Sequence, residues 1–166
     1  MSKRPEVVQL IFAIGGLLLG VLVYLLDREP NTVYFVPDWL TLGSKVKPIF
    51  GFIGNYLPTF IHVYVFILLT TAVMQLHERL VIPVCITWFT IDSIFEIAQL
   101  PGIAQWIAAR VPAWFQGVPF LENTASYFIA GTFDILDIVS IAAGTVCAYF
   151  TVVISFRRAE KSIALG

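Results

Sequence analysis

Charge is what this chain has least of: Asp, Glu, Lys and Arg together make up 13% of its 166 residues, against 58% hydrophobic residues. Soluble domains carry roughly 25% charged residues, so a water-soluble globule is excluded and an integral membrane protein is expected. Ten basic and eleven acidic residues nearly cancel, leaving a formal net charge of -1. That balance builds no electropositive surface of the kind nucleic acid requires. Cysteine is almost absent, with Cys85 and Cys147 each inside an apolar run. No disulfide framework or zinc-ligand spacing exists, and both read as small buried hydrophobes. Internal repeats, low-complexity tracts and cofactor fingerprints are lacking too, and no cofactor is expected.

What remains is long apolar runs. A bilayer-spanning helix needs about 20 predominantly apolar residues, and four segments qualify, at 7–26, 59–76, 80–100 and 134–156. The first follows Lys3 and Arg4 as a signal peptide would, but it is of full spanning length and lacks a small-residue cleavage site, so it is expected to be retained. Its Gly16 and Gly20 lie four apart and would admit another helix closely. Only His77-Glu78-Arg79 separates the second and third spans, which predicts a tight antiparallel hairpin. The connections at 27–58 and 101–133 are long and rich in proline and aromatics. Phe35, Trp39, Phe50, Phe52 and Tyr56 in the first fit an interfacial belt, and residues 105–115 in the second read as a short interfacial helix.

The expected fold is therefore all-α, four transmembrane helices in one domain spanning 1–166. Lys3, Arg4, Arg79, Arg157, Arg158 and Lys161 fall on one side of this layout, and Arg28, Lys45, Lys47 and Arg110 on the other. The bias places both termini in the cytoplasm and the two long loops outside.

Polar residues concentrate toward that outer side. Asp92, Glu96 and Gln99 stand at i, i+4 and i+7 of the third span and share one face. Asp134 and Asp137 open the fourth span three apart, with Ser140, Gly144 and Ala148 continuing the same stripe. His62 lies near the expected start of the second span. An intramembrane carboxyl costs roughly 3 kcal/mol on insertion scales, so these acids should face the bundle interior or a wet cavity. Arg110 is the cation placed to fold back on them. Simpler roles stay open: His62 as an interfacial hydrogen-bonding residue, Asp92 bonded to Ser93, Thr90 or a group on the fourth span, and Asp134 as a helix N-cap. Glu96, Gln99 and Asp137 together are the strongest candidates for a site.

Those same residues resemble the VanZ-like family of small bacterial membrane proteins. The likeness rests on Glu96 and Gln99 at the end of one helix, then Asp134, Asp137 and Gly144, with His62 in the preceding helix. It covers roughly two-thirds of the chain. The chain has Gly131 and Ile141 where the family pattern usually has Arg and Asn, and some thirty residues separate the two motif halves. The resemblance implies a bacterial cytoplasmic membrane protein linked to the envelope and to glycopeptide resistance, without implying a known reaction.

Three functions are compatible with these observations. The first is an outward-facing acidic pocket, formed by His62, Asp92, Glu96, Gln99, Arg110, Asp134 and Asp137, that binds a polar or cationic group of a membrane lipid or glycopeptide. The second is a non-catalytic subunit or assembly factor that meets other membrane subunits through the first helix and the aromatic loops. The third is a metal-assisted hydrolase using His62 with the acids.

Overall fold

The computed structural model describes residues 4–27, 49–119 and 121–164. Six helices are described: α1 (Pro5–Asp27), α2 (Gly51–Val73), α3 (Val81–Ile97, entered through a 3-10 turn at Glu78–Leu80), α4 (Pro101–Ala108), α5 (Thr124–Ala130) and α6 (Ile135–Ala164). Among the described residues no strand occurs. Four of these helices, α1, α2, α3 with its entry turn, and α6, are long and apolar enough to cross a membrane. The chain is an all-α, multi-pass membrane protein, as its apolar runs require.

The helix boundaries differ from the sequence reading in instructive ways. Sequence places residues 51–58 in a connection because the stretch is rich in proline and aromatics, yet α2 begins at Gly51 and carries Pro58 inside it. The two residues just ahead of it are held from outside the helix: the Asp27 carboxylate, at the end of α1, accepts from the backbone N–H of Ile49 at 2.7 Å and of Phe50 at 2.9 Å. That external cap supports the two extra turns ahead of Pro58. At the other end α2 stops at Val73, three residues early, because Gln75 adopts a left-handed φ of 48°. The Leu76 amide then donates back to the Thr71 carbonyl at 3.0 Å, closing the helix. α3 ends at Ile97, so Gln99 lies in the turn beyond it. α6 runs past residue 156 to Ala164. In the second long connection the helix starts earlier than the expected interval and overlaps only its first part: α4 covers Pro101–Ala108, about two turns, and Ala113–Phe115 form only a 3-10 turn. Phe35 and Trp39, with Arg28, Lys45 and Lys47, lie outside the described residues, whereas Phe52 and Tyr56 belong to α2.

Helices α2 and α6 form the central pair, and α1 and α3 each pack against both of them. The core between them is aliphatic, with Val63, Ile67, Leu68, Ile141, Ala148 and Val152 essentially inaccessible. Small residues permit the closest approaches. A Cβ on Gly144 would stand 2.6 Å from the Phe60 carbonyl oxygen, and one on Gly16 would stand 2.7 Å from Val65 Cγ2. The glycine face of α1 is thus filled by α2 of the same chain. Cys85 is buried in this core as expected, but Cys147 is exposed on the bundle surface, on the flank of the stripe formed by Gly144 and Ala148.

Near the opposite end of the bundle from Asp27, the Gln9 side-chain amide donates to Ser155 Oγ at 2.9 Å, and both residues are almost fully buried. This bond joins the start of α1 to the end of α6 and puts those two ends of the chain on the same side of the bundle. Ser155→Ala should lower the unfolding free energy in detergent by about 1 kcal/mol, as expected for one interhelical hydrogen bond. Thermal unfolding followed by circular dichroism measures it, and an unchanged midpoint would show that the bond does not tie α1 to α6.

Candidate functional site

The end of the bundle where α2 and α6 begin is polar, and its geometry follows from the caps. Asp134 precedes α6 and accepts from the Leu136 amide at 2.9 Å, an N-cap bond. The backbone N–H of Asp134 itself donates to Glu96 Oε1 at 2.7 Å, so a side chain from α3 completes the start of α6. Glu96 is only 7% exposed, and a buried carboxylate on helix-end amides is favourably placed against the helix dipole. The second Asp134 oxygen accepts from the Tyr56 hydroxyl at 3.0 Å. One turn farther along each helix, the Thr59 hydroxyl donates to Asp137 Oδ1 at 2.7 Å. Glu96, Asp134, Asp137, Tyr56 and Thr59 therefore form one network linking α2, α3 and α6.

Gln99 borders this network. Its amide lies against the Cα of Gly131, where any β-carbon would collide with it. Tyr127 on α5 hydrogen-bonds Gln99. Its phenol is held above the usual tyrosine range first by partial burial and then by the nearby carboxylate of Glu96, so it stays neutral at physiological pH.

The histidine belongs to a different level. Because α2 starts at Gly51, His62 stands eleven residues in, at the middle of the helix. Its Nδ1 is 3.0 Å from Asp92 Oδ2, making this the ion-pair contact among the described residues. Asp92 is buried and takes its hydrogen bond from His62 rather than from Ser93, Thr90 or α6. His62 and Asp92 thus lie deeper than the Glu96–Asp134–Asp137 network, one helical turn from Thr59 and Glu96 respectively. The sequence reading set His62 toward the outer side with Glu96, Gln99, Asp134 and Asp137; the structure sets it a turn deeper, beside Asp92.

Arg110 does not join either layer. Its guanidinium donates to the Trp106 carbonyl at 3.0 Å and lies 4.0 Å over the Trp106 ring, a local cation-π contact on the exposed side of α4. Glu96 accepts from a backbone amide, Asp134 from a backbone amide and the Tyr56 hydroxyl, and Asp137 from the Thr59 hydroxyl. Nor do three His, Cys, Asp or Glu side chains converge so as to hold a metal ion among those residues. Surface grooves of about 190 and 380 Å³, on the α2–α3 and α3–α6 seams, contain none of the acids.

Tyr56, Thr59 and Tyr127 were not legible as site residues. Tyr56 and Thr59 share a helical face only once α2 is known to begin at Gly51, and Tyr127 is brought in by the fold of the 101–133 segment. The chain matches no protein-family model, no curated protein and no solved structure.

Proposed function

We propose that this chain is a VanZ-like envelope protein of the bacterial cytoplasmic membrane, with both termini inside, and that its acidic end faces outward and binds a cationic or polar group of a lipid or glycopeptide. The observation that supports this is the convergence of Glu96, Asp134 and Asp137, from α3 and the start of α6, at one end of the bundle. Clustered carboxylates produce negative potential, and at a membrane surface that potential draws amines. Asp134 serves mainly to cap α6. Glu96 and Asp137 carry the binding role, held by the Asp134 backbone amide and the Thr59 hydroxyl respectively.

The test is glycopeptide tolerance in cells expressing Glu96→Ala or Asp137→Ala at normal levels. Tolerance is expected to be lost in each. Full tolerance in both variants would overturn the proposal. A metal-assisted hydrolase has no convergent ligand set to support it among the described residues.

A further inference from the structure

The groove of about 380 Å³ on the α3–α6 seam is set apart by what stands at one end of it. Its walls include Ile82, Ile86 and Phe89 from α3 and Val146, Tyr149 and Phe150 from α6. Ile82, Ile86, Val146 and Phe150 are each more than half exposed, so the groove opens sideways from the bundle. Thr145 lines it too, but its hydroxyl donates to the Ile141 carbonyl at 2.8 Å and is satisfied within the helix. From Ile82 to Phe89 the groove follows α3 for about 10 Å. Over that length its surface suits hydrocarbon.

Away from the acid network, the same seam ends in cations. Arg79 stands three residues before Ile82, on the 3-10 turn that packs against α6, and Arg157 stands seven residues after Phe150. Those intervals bring both residues round to the groove's side of their helices, where the membrane-spanning stretches end. Both side chains are exposed, and among the described residues neither forms an ion pair. Glu78 and Glu160 border the same place without coming within ion-pair distance of either arginine. Arg158, the next residue, is about 100° farther round α6 and away from the seam. A surface that is apolar along the span and basic at its end complements an amphiphile with a hydrocarbon tail and an anionic head.

We propose that the α3–α6 groove holds an acyl chain of an anionic phospholipid whose phosphate is bound by Arg79 and Arg157. Guanidinium groups suit this role because they hold phosphate oxygens through paired, charge-assisted hydrogen bonds. The site lies at the opposite end of the bundle from Glu96, Asp134 and Asp137 and does not rest on the function proposed for them.

The experiment is native mass spectrometry of the purified full chain offered dioleoylphosphatidylglycerol, dioleoylphosphatidylcholine or glycerol phosphate. Phosphatidylglycerol should be retained under activation that strips phosphatidylcholine, which has the same tails but no net charge, and tail-less glycerol phosphate should not be retained. Replacing both cations, Arg79→Gln with Arg157→Gln, should lower phosphatidylglycerol occupancy about tenfold or more. Arg158→Gln, also at an exposed position, should leave it unchanged. Val146→Trp, which fills the groove from an exposed position, should produce a comparable loss, whereas Leu18→Trp on the outward face of α1 should not. Should the double arginine variant fail to purify, Val146→Trp carries the test. Equal retention of the two lipids, retention of glycerol phosphate, an equal loss in Arg158→Gln or parental binding in Val146→Trp would each overturn the proposal. So would a second copy of this chain, or another protein, held at the seam in place of lipid and released by Val146→Trp.

Discussion

Replacing Gly144 with leucine is expected to cost about 3 kcal/mol or more and to dismantle the polar end of the bundle, because overpacking against atoms that cannot yield is among the costliest core changes. The obstruction is partly backbone. A Cβ here meets the Phe60 carbonyl oxygen at 2.6 Å and Val63 Cγ1 at the same distance, so α2 and α6 must separate before any side chain fits. These two helices also bring Thr59 to Asp137 and Tyr56 to Asp134. Even Gly144→Ala should lose about 1–3 kcal/mol. Gly15→Ala is the control: its Cβ would meet nothing within 4 Å, and exchanging glycine for alanine in a helix interior should gain up to about 1 kcal/mol. Thermal unfolding of the three variants in one detergent decides the matter. A Gly144→Ala protein as stable as the parent would show that α2 and α6 do not pack as closely as described.

His62→Leu should destabilise the protein by about 1–3 kcal/mol, since it leaves the buried member of the pair without its hydrogen bond. The stranded group is Asp92, for which His62 supplies the side-chain hydrogen bond. Asp92→Leu should cost less, because the imidazole it frees is already half exposed. The double variant His62→Leu/Asp92→Leu should be more stable than the sum of the two single losses by about 1–3 kcal/mol, the coupling expected of residues in direct contact. A double-mutant cycle by chemical or thermal unfolding measures that difference. Additive losses would mean that the pair contributes no mutual stabilisation.

The acids and the histidine were legible as unusual because they interrupt apolar runs. Their grouping was less legible. Glu96 and Asp137 do fall together, yet they meet through Asp134's backbone amide and Thr59's hydroxyl, groups whose sequence context carries no distinctive signal. His62 was assigned to the mouth of the bundle because the proline-rich stretch up to Pro58 read as a connection. The Asp27 carboxylate, twenty-two residues before Ile49, supports an earlier start and thereby moves His62 to mid-depth. Arg110 was matched to the acids as the only cation of its connection, but the adjacent Trp106 ring and carbonyl engage it locally. Gln9 passed unremarked in an otherwise apolar helix, although it bonds Ser155 across the bundle.

Sequence by itself determined that this protein is a bundle of four membrane-spanning helices, since only helices satisfy their own backbone in hydrocarbon and four runs are long and apolar enough. It also determined which polar residues must be kept from lipid. Tertiary structure alone decided how they divide, Glu96 with Asp134 and Asp137 at one end, His62 with Asp92 at mid-depth. The reason is physical. Spanning length and hydropathy are sums over neighbouring residues, whereas the depth and partner of a side chain depend on where each helix begins and on which glycine lets two helices touch.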